Sequence, residues 1–305
     1  MTNDNLKRLA WDGVSFPVPQ NWELALYQRI KRKIWHLEIE DEYSVRLEVE
    51  WIVRQKTLDM ETVLKRYEQA ATSLTRKATQ RKVVDAVPKG WTATHYIFQE
   101  TEGNRGQGLK TVEHGLTTAF YTPPDKKMFC FLLLHTYPES TGSPYDITHT
   151  ITSGFERHTG PLITCQLFDI SFDLPRDFLL ENTQFGIGSK LMIFRWRLRR
   201  FYLWHFSCAN HILKDGKTME EWAAGYLNSF RHIKGLRFYP GKNGEIKWKR
   251  RRRHMLGHRE EIVRLCFRYR IRCHHDHDRN RIVLWLYSYR KEEDLEKIPP
   301  ELRNM

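Results

Sequence analysis

The sequence is poor in the features that announce most functional classes. Its five cysteines, Cys130, Cys165, Cys208, Cys266 and Cys273, are odd in number, scattered, and include no C-x-x-C. A disulfide framework needs an even, clustered set, so these read as reduced thiols of a cytoplasmic protein. No window approaches the ~20 apolar residues that span a bilayer. The longest apolar run, Met128 to Leu134, is the length of a strand. The opening Met-Thr-Asn-Asp-Asn-Leu-Lys-Arg lacks the apolar core of a secretory signal. Gly103-Asn-Arg-Gly-Gln-Gly108 and Gly186-x-Gly188 fit neither a phosphate loop nor a dinucleotide fingerprint and read as turns. There is no G-x-S-x-G and no H-E-x-x-H. No catalytic set, cofactor or metal follows from these residues.

What is plentiful is apolar surface and, in one half, positive charge. At 40% hydrophobic residues, with ten tryptophans and sixteen phenylalanines, the 305 residues are ample for two packed cores. The net charge of +13 is unevenly spread. Residues 1–160 hold 21 Lys and Arg against 20 Asp and Glu, whereas residues 161–305 hold 29 against 17, which is +1 and +12. An anionic partner for the second half is the direct expectation from that field.

The halves also read as diverged copies of each other. Phe16-Pro-Val-Pro-Gln-Asn-Trp22 and Phe172-Asp-Leu-Pro-Arg-Asp-Phe178 share aromatic-x-aliphatic-Pro-x-x-aromatic, each after a strand-like segment that the proline closes. Period-2 segments follow. Trp35, Leu37 and Ile39 alternate with His36, Glu38 and Glu40. After Asp41 to Ser44, Val45, Leu47, Val49 and Trp51 alternate with Arg46, Glu48 and Glu50. This predicts a half-buried hairpin with one acidic face. Leu191 to Leu198 and Phe201 to Phe206 hold the same place in the second half. A helix comes next: Leu58 to Leu74, with Met60, Val63, Leu64, Tyr67, Ala71 and Leu74 on one stripe and Thr57 or Asp59 as cap, and Lys217 to Phe230. Two strands close each half. They are Leu116 to Tyr121 and Phe129 to Tyr137 in the first, and Ile262 to Arg272 and Ile282 to Tyr289, around a turn at His274 to Asn280, in the second. The first half adds a helix over Tyr145 to Arg157, packing Ile147, Ile151 and Phe155. The second ends in a charged tail broken by Pro299-Pro300.

This order of strand, Phe-x-aliphatic-Pro-x-x-aromatic, hairpin, amphipathic helix, strand pair and helix resembles the PsbP-like family, named for an extrinsic protein of photosystem II. The resemblance implies an α+β fold of two repeated domains, residues 1–160 and 161–305, each an antiparallel sheet flanked by helices in an α/β/α sandwich. It also implies a protein-binding or assembly role, since that family has no common catalytic residues. The second half departs from the pattern by lacking a clear closing helix, which leaves one side of its sheet uncovered.

Three segments invite a functional reading. In Arg195-Trp-Arg-Leu-Arg-Arg200 the spacing puts Arg195, Arg197 and Arg199 on one strand face, with Arg200 beside them. The matching face of the first half carries Glu38, Glu40, Glu48 and Glu50, so a domain–domain or head-to-tail contact between the two is one reading and two solvated faces is the other. Lys247-Trp248-Lys249-Arg250-Arg251-Arg252-Arg253 is the densest cationic run. It reads as a loop for an acidic protein partner. The alternative is nucleic acid, with Trp248 stacking on a base, and anionic lipid shares the same electrostatics. Cys273-His-His-Asp-His-Asp278 carries zinc-ligand types, but neighbours in so short a run rarely converge on one ion. It reads as a polar hairpin tip, ahead of a third reading as a metal-dependent hydrolase centred on His274, His275 and His277. The leading expectation is a non-enzymatic binding or assembly protein that uses its basic second half.

Overall fold

The computed structural model describes residues 5–30, 34–104, 107–140, 142–167, 170–214, 216–231, 233, 235–250 and 267–303. The chain is mixed α and β, rich in antiparallel sheet, and divides into two compact units: Met1–Thr159 with Cys165–Ser171, and Gly160–Thr164 with Phe172–Met305. None of the described helices is long and apolar enough to cross a membrane.

In the first unit, the strand-like segment closed by Pro19, expected over Trp11 to Val18, is not one strand. Asp12 and Gly13 adopt positive φ and turn the chain between β1 (Leu6–Trp11) and β2 (Val14–Pro19), the backbone that a tight hairpin requires. Then come β3 (Glu23–Ile30), β4 (Ile34–Glu40) and β5 (Val45–Val53), followed by helix α1 (Met60–Thr75), whose cap is Asp59 accepting from the Thr62 amide. After α1 run β6 (Gln80–Val83), β7 (Trp91–Asn104), β8 (Gln107–Tyr121) and β9 (Met128–Thr136). The seven strands line up as β3-β4-β5-β9-β8-β7-β6. Helix α2 (Pro144–Ser153) ends earlier than the periodicity predicts, and the chain passes through β10 (Glu156–Arg157).

Alternation sorts the two faces of this sheet. Ile34, Ile52, Phe129, Phe131 and Leu133 form a core with Tyr67 and Ala71 of α1. On the opposite face Leu37, Ile39, Leu47, Val49 and Trp51 are buried, and Phe155, after α2, meets Phe16, Trp91 and Tyr121. The helix stripe is only partly used. Tyr67 and Ala71 are buried, but Leu74 is 52% exposed and stands over a groove above the sheet instead of packing on it.

β11 (Leu162–Leu167) and β12 (Ile170–Pro175) lead into the second unit. There β13 (Leu179–Gly186), β14 (Ser189–Trp196) and β15 (Arg199–Ser207) are followed by a short α3 (Ala209–Ile212) and by α4 (Met219–Ser229). Thr218 and Glu221 close a capping box on α4. β16 (Leu236–Pro240) and β17 (Ile246–Arg250) form a two-stranded ribbon, and β18 (Arg268–Asp276) and β19 (Arg281–Tyr289) complete a sheet of order β13-β14-β15-β19-β18. Five strands of the first unit, β3-β4-β5-β9-β8, have the same order, with the long helix leaving the third strand in both cases.

The second sheet is covered on both faces, contrary to the expectation from the broken tail. Leu284, Leu286, Trp204 and Ile271 pack with Ala223, Ala224 and Leu227 of α4. On the other side the tail folds into a 3-10 helix, Glu292–Lys297, and a last turn, Pro300–Arg303, burying Ile298 and Leu302. Trp285 Nε1 donates to the Leu302 carbonyl at 2.9 Å. Pro299-Pro300 therefore redirects the tail onto the sheet.

Gly244 fastens the ribbon to the sheet. Its carbonyl accepts from the Cys273 amide at 2.7 Å, beside a bridge between Glu245 and Arg272. Its φ of +77° suits only glycine comfortably, and an added Cβ would run into the Cys273 carbonyl oxygen. Gly244→Ala should lower stability by about 2–4 kcal/mol through strain and crowding together. Urea unfolding measures this, and an unchanged midpoint would show that the ribbon is not held here.

Candidate functional sites: a cationic ribbon and a carboxylate–histidine network

The arginine run does not form a ladder on one strand. β14 ends at Trp196 and β15 starts at Arg199, so Arg197 and Leu198 are a two-residue turn, with Arg197 at φ 56°. The run is a hairpin tip in which Arg195 pairs with Arg200 and Trp196 with Arg199. Arg195 and Arg200 share Glu181, and Arg200 holds it in a fork, Nε to Oε2 at 2.7 Å and Nη2 to Oε1 at 3.0 Å. Arg199 lies on the opposite face, its Nε 2.8 Å from Asp294 Oδ2, with its guanidinium over Trp196. Of the four arginines expected to form a binding surface, three are bound to acids of their own unit. The fourth, Arg197, lies over Trp196.

The Lys247–Arg253 segment is also not simply a loop. Its first part is strand β17, and Arg251, Arg252 and Arg253 lie outside the described residues. The pairing is Leu236 with Arg250, Arg237 with Lys249, Phe238 with Trp248, Tyr239 with Lys247 and Pro240 with Ile246. Leu236, Phe238 and Ile246 enter the core. Arg237, Lys247 and Lys249 are exposed on the outer face and make no ion pair among the described residues, while Tyr239 lies under Arg237 and Lys249 at 5.6 and 5.8 Å. Trp248, the residue expected to stack on a base, belongs to the inner side: its Nε1 donates to the Tyr269 carbonyl at 2.7 Å and its ring meets Tyr269 edge-on. Arg250 is likewise engaged, donating to the Phe267 carbonyl at 2.5 Å.

The ribbon is held rigidly. Asn228 of α4 pairs with both backbone groups of Phe238, and Glu220 accepts from the Gly244 amide. Like charges directly opposite on two strands repel, so Arg237 facing Lys249 costs stability. Sequence reading missed Arg237 and Tyr239. The signal was Leu236-Arg-Phe-Tyr239 and Ile246-Lys-Trp-Lys249 alternating on either side of Gly241-Lys-Asn-Gly244.

The histidine string is only partly a turn. β18 continues to Asp276, so His274 and His275 are strand residues opposite Val283 and Ile282, and only residues 277–280 turn. The His275 and His277 rings meet at 3.8 Å. Asp276 is taken by Arg281 at 2.9 Å, and among the described residues no three His, Cys, Asp or Glu side chains converge as a metal would need. The four described cysteines form no disulfide, with Cys130, Cys165 and Cys273 buried and Cys208 exposed.

The acidic face of the first unit is a network rather than an open surface. The register sets His36 opposite Glu50 and Glu38 opposite Glu48, and Glu48 lies beside β9. His36, nearly buried, has Nδ1 3.2 Å from Glu50 Oε1 and Nε2 3.1 Å from Glu38 Oε1. Tyr67 of α1 donates to Glu50 Oε2 at 2.7 Å, and His135 Nε2 lies 2.8 Å from Glu48 Oε1. Only Glu40 of the four glutamates remains exposed. Glu38, Glu48 and Glu50 are each hydrogen-bonded to a histidine of their own sheet. Sequence reading missed His36, Tyr67 and His135 as partners, because register alone brings them together.

Compared with models of known protein families the chain matches none, and a search of curated proteins finds no significant match.

Burial opposes the charge on His36, but the hydrogen bonds it donates to Glu50 and Glu38 and the charges of Glu50 and Glu48 outweigh it and raise its pKa above 6.5. Burial opposes the charge on Glu50 too, and its bonds to His36 and Tyr67 outweigh that and lower its pKa below 4.5. The histidine's contribution to stability is therefore full below 6.5 and fades as pH rises through the raised value, while the carboxylate's is full above 4.5 and fades as pH falls. The network stabilises most between those limits. His36→Gln should cost about 1–3 kcal/mol there and less as pH rises through the raised value of His36. Unfolding of both proteins across pH checks this, and a gap independent of pH would contradict it.

Proposed function

We propose that the protein is a non-enzymatic binding or assembly protein, built of two diverged PsbP-like domains, that engages an acidic protein partner through the outer face of the β16–β17 ribbon. The observation that carries this reading is the contrast between engaged and unengaged charge in the second unit. Arg195, Arg199 and Arg200 have acids beside them, whereas Arg237, Lys247 and Lys249 share one face, make no ion pair among the described residues, and set Arg237 opposite Lys249. A fixed cluster of cations at a cost to stability fits a surface whose counter-charge arrives with a partner.

The shared order of five strands supports two copies of one domain. Four described cysteines without a disulfide fit a reducing cytoplasm. The inward position of Trp248 favours an acidic protein over nucleic acid, because it removes the expected stacking residue from the surface.

The test uses two probes, fluorescein-labelled polyglutamate and a labelled thymidine oligonucleotide, read by anisotropy. Polyglutamate should bind with an affinity that falls as salt rises. Arg237→Gln/Lys247→Gln/Lys249→Gln should weaken it about tenfold or more, the equivalent of ~1.4 kcal/mol or above. Its melting temperature should stay level or rise, because the repulsion between Arg237 and Lys249 is relieved. Equal binding by the variant would remove the ribbon as the surface, and a large preference for the oligonucleotide would replace the protein partner with nucleic acid.

A further inference from the structure

The last turn of α1 overhangs a groove of about 610 Å³ in the first unit, within the range of small-molecule sites. It lies on the same sheet face as the carboxylate–histidine network, between the end of the helix and strands β7, β8 and β9. Three features set it apart from an ordinary surface cleft.

The first is one apolar side chain, Leu74, left without cover beside an apolar wall. Leu74 continues the buried stripe of α1 yet is half open to solvent, and Phe98 and Leu116 line the groove with it. The second is charge. Arg76, the C-cap residue, and Lys77 both line the groove, are exposed, and make no ion pair among the described residues, against one lining carboxylate, Glu100. The third is a fixed polar group. His135 is held through Nε2 by Glu48, which belongs to the network reaching Tyr67, and its Nδ1 has no hydrogen bond among the described residues. An oriented imidazole at the wall, two cations at the rim and an unburied leucine between them match one ligand chemistry, an apolar body carrying one acidic group.

We propose that this groove is a binding site for a small organic anion with an apolar or aromatic body, whose acidic group meets Arg76 and Lys77 and whose body covers Leu74 and Leu116. The site is independent of the ribbon and would stand if the ribbon's partner proved different.

The test uses two fluorescent probes of nearly the same body, 8-anilinonaphthalene-1-sulfonate, which carries a sulfonate, and N-phenyl-1-naphthylamine, which does not. The full chain should bind the sulfonate at one site, about tenfold tighter than the neutral probe, as a favourable ion contact of ~1.4 kcal/mol requires. Arg76→Gln/Lys77→Gln should erase that difference without changing the neutral probe's affinity. Leu74→Ser should weaken both probes. All three positions are exposed, so the variants should melt with the parent. Absence of saturable binding, equal affinity for the two probes, or a sulfonate affinity indifferent to these substitutions would each overturn the proposal.

Discussion

In each unit the strand made last fills the middle of the sheet, and the rest of the structure depends on that insertion. All nine residues of β19 are buried, and from Met128 to Leu134 every residue of β9 is too. Leu284 and Leu286 reach the α4 side while Trp285 and Tyr287 reach the aromatic cluster of Phe178 and Phe201. Each such side chain removed from water is worth about 1.5–3 kcal/mol. Until β9 arrives, β5 is an edge and α1 lacks Phe129 and Phe131 beneath Tyr67. The pairing of Leu47 with Leu134 closes a long loop, so assembly is set by contacts distant in sequence.

The same insertion creates the polar features. His135 belongs to β9 and reaches Glu48 only when the sheet is complete, across 87 positions of chain. Cys273 of β18 presents its backbone to Gly244 and so fixes how the ribbon is held. Within each unit most buried or half-buried charge then finds an opposite partner: His36 with its glutamates, Arg46 with Asp41, Arg199 with Asp294. Burying a charge without such a partner is expensive. The outer face of the ribbon and the rim of the α1 groove carry exposed cations that make no ion pair among the described residues.

Much of the architecture was legible because alternation and capping act locally. The hairpin of β4 and β5, both long helices, β9 and β19 are written as period-2 or period-3.6 patterns, whereas the strand expected over Ile262 to Arg272 lies over Arg268–Asp276, with residues 262–266 outside the described residues. The arginine run misled for a physical reason. A two-residue turn at Arg197-Leu198 interrupts the alternation, and arginine can take the left-handed turn conformation without the glycine or asparagine that would announce it. The ribbon was hidden by its own charge, since Lys247 to Arg253 reads as solvated loop unless Leu236 to Pro240 is aligned against it. The groove was beyond sequence reading altogether, because it depends on how the end of α1 stands over β7, β8 and β9. The histidine network needed the register of β9.

The most direct test of a binding role for the ribbon is photocrosslinking in the native cell with benzoylphenylalanine in place of Tyr239, compared with the same group at exposed Glu40. The account predicts a discrete adduct with an acidic protein at position 239, lost on neutralising Arg237, Lys247 and Lys249 and absent at position 40. An adduct with nucleic acid at position 239, or adducts at position 40 alone, would contradict it.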